Sequence, residues 1–277
     1  MSIIFDQYEE RLNRLRRDPA TVRNFQRARR PFEQYLSAHR VEAGDLDPVL
    51  AEEYFAQLDN APTTKKLYLE QLRAAYRYAH RRGVVSRDPL VDVQLPRIPD
   101  KEPTVIPNAE LRRQKHGLFK DREWLLWHLL VYTGMRRSEI LGLRWDDVKM
   151  SDMTITITGK GGKIRHIPIH PALGEVFAEV QRHGEWVLGS SKKYAGESRP
   201  LSKATMFTYL RRIAPEYTAH DYRRTVASSL YANGVDGDTI DKIMGWSPRV
   251  VRTRYYVNVA PEQLQRAILK LYANDPV

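Results

Sequence analysis

The 277-residue sequence contains no cysteine. Disulfide frameworks, thiolate metal sites and cysteine nucleophiles are therefore excluded. No apolar run reaches membrane-spanning length. The first residues, MSIIFDQYEERLNRLRRDP, turn acidic and then basic without the long apolar core of a secretory leader. A cytoplasmic protein with no membrane partner is expected. Internal repeats and low-complexity segments are also missing. Acidic side chains are in deficit: 34 Asp and Glu against 45 Lys and Arg give a formal net charge of +11. Such an excess favours a polyanionic partner, because cations facing phosphates release condensed counterions on binding. Ribosomal factors and membrane-surface proteins share this property, so charge alone does not single out nucleic acid.

What is present divides the chain in two. Residues 1–95 read as helical, with apolar positions at helical spacing in Phe25, Phe32, Tyr35 and Leu36, and again in Leu69, Leu72, Tyr76 and Ala79. Asp18-Pro19 and Ala61-Pro62-Thr63 suit helix entries, while Gly83 and Asp88-Pro89 suit stops. Helices are expected throughout residues 5–92. A polar, proline-rich stretch over residues 96–106 reads as an extended linker. Residues 107–277 then form a second domain. Within it, Trp124 to Tyr132 is apolar on nearly all sides, as in a buried helix, and stops at Thr133-Gly134. The alternation Met153-Thr-Ile-Thr-Ile-Thr158, a glycine-rich turn and Lys163-Ile-Arg-His-Ile-Pro-Ile169 predict a hairpin, with Pro168 marking an edge strand. From about Ser202 onward the pattern is helical again.

The residues able to carry chemistry all lie in this second part. His220 and Arg223, three apart on a predicted helix, share a face and can approach the same oxygen. A His-x-x-Arg pair is nonetheless common on basic helices. Arg136 enters at a helix end facing out of the core, and Glu139 is placed to orient its guanidinium. Lys160 lies at the hairpin tip, where glycines allow close approach of another molecule; Lys163 and Arg165 follow on the returning strand as candidate DNA contacts. The Gly159-Lys160-Gly161-Gly162-Lys163 run lacks the spacing and the following Ser/Thr of a nucleotide-phosphate loop. His166 and His170 are four apart, but without cysteine or a convincing carboxylate partner ordinary strand residues are the better reading than a metal pair. Trp246 follows Gly245 at a predicted helix stop, and Ser247-Pro248 restarts a helix carrying Tyr255 and Tyr256.

Taken in order, TGMRRSEILGLRW, the hairpin with Gly-Lys-Gly, HDYRR, and Gly245-Trp246 followed by Tyr255-Tyr256 resemble the motifs of the tyrosine recombinase family, which includes the phage-type integrases. The resemblance spans essentially the whole chain. It implies a mainly α fold with a small β component: a helical, SAM-like core-DNA-binding domain and an α+β catalytic domain. It implies that Arg136, Lys160, His220, Arg223 and Trp246 surround a scissile phosphate, with Trp246 where histidine is usual. A tyrosine then attacks to give a 3′-phosphotyrosyl link, and no metal or other cofactor is required. The frame Tyr256-Val257-Asn258 favours Tyr256 over Tyr255 as nucleophile. Trp246 donates one hydrogen bond but cannot shuttle a proton, which leaves His220 as the candidate base.

The resemblance further implies double-stranded DNA as substrate and a chain that is monomeric when free. It becomes a homotetramer on DNA, passing through a Holliday junction. With helices beginning near residue 5, a simple core-site enzyme is expected. A type IB topoisomerase-like relaxing enzyme and a catalytically idle DNA-binding regulator are the alternatives. Finally, Ala260-Pro261-Glu262 reads as a helix start. Leu264, Ala267, Ile268, Leu271 and Tyr272 then form an apolar stripe, which the resemblance implies docks as an assembly helix on a neighbouring protomer, packing on its own domain being the alternative.

Overall fold

The computed structural model describes residues 2–99, 102–117, 121–159, 162–190, 198–246 and 259–277. The chain divides into two compact units, Met1–Lys101 and Glu102–Val277.

In the first unit, helices α1 (Ile3–Arg14), α2 (Pro19–Ala38), α3 (Pro48–Gln57) and α4 (Pro62–Arg81) enclose a core. Three of these helices begin on proline, whose fixed φ suits a first helical position. Asp18 and Asp47 cap two of them by accepting from Ala20 N at 2.8 Å and Val49 N at 2.7 Å. The core is aromatic, with Phe5 edge-on to Phe32 at 5.9 Å and to Tyr76 at 5.7 Å. Arg29, braced within α2 by Glu33 at 2.9 Å, ties α1 to α2 through Asp6 at 2.5 Å and Glu9 at 3.0 Å. The expectation of helix through residue 92 fails beyond Arg81. Gly83 turns left-handed at φ 70°, and the segment after it is pinned to α4 by Arg73, which donates to Leu90 O at 2.8 Å and Val93 O at 2.6 Å.

In the second unit, α5 (Asn108–Lys115) precedes α6 (Asp121–Thr133), the central helix. Leu125 through Tyr132 of α6 are buried without interruption, as the apolar run predicted. After α7 (Arg137–Leu141), a three-stranded antiparallel sheet runs β1 (Val148–Lys149), β2 (Thr154–Thr158) and β3 (Ile164–Pro168) in that spatial order. The β2–β3 register pairs Thr154 with Pro168, Ile157 with Arg165 and Thr158 with Ile164. The proline therefore lies on the outer strand, where its missing N–H costs no ladder bond. Helices α8 (Pro171–Glu179), α9 (Lys203–Ile213) and α10 (Ala219–Ala232) pack against α6. They are followed by α11 (Gly237–Met244) and α12 (Pro261–Leu269). No helix of the described residues is long and apolar enough to cross a membrane.

The apolar stripe at the end of the chain is present, but it lies against its own unit. Ala267, Ile268, Leu271 and Tyr272 are buried in the same core as α6, with Leu264 packed beside them. Tyr272, left-handed at φ 59°, turns the chain back and donates from its hydroxyl to Val131 O at 3.1 Å. Asp275, Pro276 and Val277 are then gripped by Asn108, Arg112, Lys115 and Tyr132. In this single chain the stripe packs in cis. Helical spacing shows that a face must be covered, not by which chain.

Candidate active site

The site is built where the end of α6, the start of α7, β3, α10 and the end of α11 converge. Thr133 closes α6 by donating from Oγ1 to Leu129 O and accepting from Met135 N at 3.2 Å. Gly134 follows at φ 61°, where a side chain is strained, and a Cβ there would also crowd Met244 Sδ at 2.9 Å and Val226 Cγ1 at 3.1 Å. Arg136 is the N-cap of α7. Its backbone N–H donates to Glu139 Oε2 at 2.6 Å, and its Nη1 donates to Oε1 of the same carboxylate at 2.9 Å. Its Nη2 donates to Gly245 O at 3.0 Å, while the side chain stays 43% exposed.

Helix α10 is capped by Asp221, whose Oδ2 accepts from Thr218 N at 2.8 Å and Thr218 Oγ1 at 2.7 Å. Tyr222 is buried and donates to Gln114 Oε1 at 2.8 Å, which locks one face of the helix inward. Arg223, also buried, donates from Nη1 to Gly134 O at 2.5 Å and from Nη2 to Met244 O. Its guanidinium carbon lies 5.7 Å from the centroid of the Trp246 ring. His220, a turn earlier, is exposed.

Helix α11 ends in a left-handed glycine cap: Gly245, at φ 62°, donates to Lys242 O at 3.2 Å and Trp246 N donates to Asp241 O at 2.9 Å. This turn brings Trp246 to the surface, 42% exposed, and presents the Met244 and Gly245 carbonyls to the two arginines.

The electrostatics are unbalanced toward positive charge. Burial alone would push the Glu139 carboxyl up, but Arg165 and Arg136 outweigh it and hold its pKa down at about 2. Burial, with Arg136 next, draws Arg223 down to about 10, against the opposing pull of Glu139. His220 is lowered from the ordinary imidazole value by partial desolvation and then by Arg224 and Arg223, against the opposing pull of Asp221. Three guanidiniums thus gather around one carboxylate, and the most buried of them is satisfied by peptide carbonyls.

The structure therefore brings together Arg136, Glu139, Arg223 and Trp246, with His220 on the first turn of the same helix as Arg223. Lys160, Tyr255 and Tyr256 lie outside the described residues. Lys163 is exposed at the start of β3. Arg165, expected to contact DNA, instead faces inward, its side chain 11% exposed and paired with Glu139. The strand pattern gave no sign of a buried carboxylate partner 26 residues earlier. His166 is exposed and bonded to Thr156 Oγ1 at 3.2 Å. His170 stacks on Tyr132 at 4.7 Å and caps α8 by accepting from Ala172 N at 3.2 Å. Sequence reasoning missed the carbonyls of Gly134, Met244 and Gly245; the only signal was glycine at two tight turns.

This helical and hairpin architecture, with its clustered arginines, is that of a known class. The chain belongs to the phage integrase family of tyrosine recombinases, whose model matches residues 114–263; residues 3–95 match the phage integrase SAM-like domain. Among its relatives, the tyrosine recombinase XerC of Myxococcus xanthus is 28% identical over 271 residues, covering 90% of each chain. XerC of Caldanaerobacter subterraneus subsp. tengcongensis is 28% identical over 247 residues, covering 83% of this chain and 69% of that protein. Of solved structures, the Tn1549 transposon integrase in complex with circular intermediate DNA superposes at a TM-score of 0.69 and 16% identity, over 96% of this chain and 99% of that one. XerH bound to its difH substrate superposes at 0.62 and 22% identity, over 89% and 78%. These two likenesses concern the fold.

Proposed function

We propose that this chain cleaves and rejoins double-stranded DNA at specific sites through a 3′-phosphotyrosyl intermediate on Tyr256. The observation that carries the reading is the surplus of cation at the site. Arg136 and Arg165 both pair with Glu139, and buried Arg223 beside them donates to two carbonyls and, among the described residues, to no carboxylate. A phosphodiester supplies the missing anion, and the charge that builds on its non-bridging oxygens in the transition state is what such cations stabilise.

In the proposed reaction the Tyr256 hydroxyl attacks phosphorus, its proton passing to His220, one turn before Arg223 on α10. The P–O5′ bond breaks, Lys160 protonates the departing 5′-oxygen, and Trp246 adds a hydrogen bond to the oxygen cage. The 5′-hydroxyl of a partner strand then attacks the phosphotyrosine and releases Tyr256. Bond energy is conserved, so strand exchange proceeds through a Holliday junction without a nucleotide cofactor. Exchange between two duplexes calls for four protomers related by a closed ring. Relatives that bear the name tyrosine recombinase favour exchange over relaxation of supercoils.

The test uses duplexes spanning the attachment DNA of the chain's own genetic element, nicked just downstream of the cleavage position so that the short fragment bearing the freed 5′-hydroxyl is lost. A covalent adduct that resists boiling in detergent and disappears on protease treatment is expected. Relaxation of plasmids lacking the site, with no joined recombinant product, would establish the topoisomerase-like reading instead.

A further inference from the structure

Arg165 stands on β3, the strand returning from the loop that carries Lys160. Its guanidinium fork grips Glu139 with both arms, Nη1 to Oε1 at 2.9 Å and Nη2 to Oε2 at 2.8 Å. Its Nε donates to Ile243 O at 3.2 Å, in the last turn of α11. Three of the five N–H groups of an arginine are thereby engaged inside the protein. The stem passes close under Gly245, where an added Cβ would lie 2.9 Å from Arg165 Cδ and Nε. One side chain therefore touches the carboxylate that orients Arg136 and the turn whose carbonyls receive both Arg136 and Arg223.

We propose that Arg165 is a positioning residue for the transition-state cations: it fixes Arg136 through Glu139 and fixes the Met244-Gly245 turn, without touching the phosphate. Glu139 has two oxygens, and each is shared between Arg136 and Arg165. Without the fork, the carboxylate keeps only the two bonds from Arg136 itself, one from its backbone and one from its side chain, and loses the anchor that ties Arg136 to β3 and the α11 turn. A lysine ammonium is a point charge with no planar fork and cannot replace that geometry. The inference rests on the recombinase reading above.

The experiment compares two versions of the nicked attachment duplex, one with the ordinary scissile phosphodiester and one with a methylphosphonate there. The methylphosphonate is neutral and lacks one charged oxygen, so it relieves the demand for a correctly aimed cation. On the phosphodiester, Arg165→Ala and Arg165→Lys are both expected to form adduct ~10²-fold more slowly than the parent chain, the range for a lost oxyanion donor. Their DNA affinity should stay within about twofold, since Arg165 makes no phosphate contact. On the methylphosphonate, both should recover in parallel with Arg136→Ala.

Equal losses on the two substrates, with a folded Arg165→Lys protein by circular dichroism, would reduce Arg165 to a scaffold residue and overturn the inference alone. So would a loss of DNA affinity in place of rate. Absence of adduct from the parent chain would overturn the recombinase reading, and this inference with it.

Discussion

Arg136 and Arg223 are held by neighbouring carbonyls of one turn: Arg136 Nη2 donates to Gly245 O at 3.0 Å, and Arg223 Nη2 donates to Met244 O. The two cations come from α7 and α10, yet a single left-handed glycine cap at the end of α11 sets both. Residues 247–258, which contain Tyr256, continue directly from that turn. On the proposed mechanism, anything that moves the cap acts on charge stabilisation and on the proposed nucleophile together.

Gly245→Ala tests this coupling. Alanine at φ 62° is strained, and its Cβ would press on Arg165, which is fixed on three sides. A loss of about 1–3 kcal/mol in stability is expected, with a fall in adduct formation beyond what the remaining folded fraction explains. Thermal unfolding and single-turnover cleavage measured on the same preparation check it; an undiminished cleavage rate would contradict the shared-turn account.

Arg223→Ala and Arg136→Ala should each slow adduct formation by ~10²–10³-fold, the usual effect of removing one oxyanion donor. DNA binding should change little, because +11 of net charge is spread over the chain and phosphate contacts elsewhere dominate affinity. Filter binding across a salt series, beside cleavage rates, separates the two effects.

Lys160 is assigned the proton for the 5′-oxygen. Replacing that bridging oxygen by sulfur gives a leaving group that needs little protonation, so the substrate should rescue Lys160→Ala and not Arg136→Ala. Rescue of both, or of neither, would remove the distinction.

Truncation after Val259 should unfold the catalytic unit. It removes Ala267, Ile268, Leu271 and Tyr272 from the core. Burying each larger apolar side chain contributes roughly 1.5–3 kcal/mol, against a total stability of about 5–15 kcal/mol for a typical domain. A truncated chain with native circular dichroism and an unchanged melting temperature would show that the tail is dispensable to the fold.

Acid should weaken the same unit through two imidazoles. Burial lowers His128 and His170 from 6.5 to about 4 in the folded chain. The unfolded chain therefore binds more protons as pH falls. The stability these neutral rings contribute is complete above pH 6.5 and is lost progressively toward pH 4. Glu139, lowered from 4.5 to about 2, adds its own loss from pH 4.5 downward. The melting temperature followed from pH 7 to 4 should decline, with a shallower slope in His128→Asn.

Much of this was legible in the sequence because local rules decided it. Alternating Thr and Ile gave the hairpin, Asp-Pro gave the entry to α2, and an unbroken apolar run gave α6. Spacing set Arg136, Glu139, Arg223 and Trp246 at helix ends or on a helix face, and the resemblance to the tyrosine recombinase motifs is what implied that they gather at one site. The partner of Arg165 was not legible: period-two alternation says which side of a strand a residue leaves, not which carboxylate waits there. Nor did an apolar stripe reveal that Leu271 and Tyr272 cover their own core. The cation-accepting carbonyls of Met244 and Gly245 left no side-chain trace at all.

The most direct measurement is the identity of the residue joined to DNA. The adduct trapped on the nicked duplex, digested with protease and sequenced by mass spectrometry, should carry the nucleotide on Tyr256. Tyr256→Phe should abolish the adduct and keep DNA affinity, while Tyr255→Phe should still form it. An adduct on Tyr255 would move the nucleophile by one residue. No tyrosyl adduct at all, from a chain that folds and binds the duplex, would contradict the account.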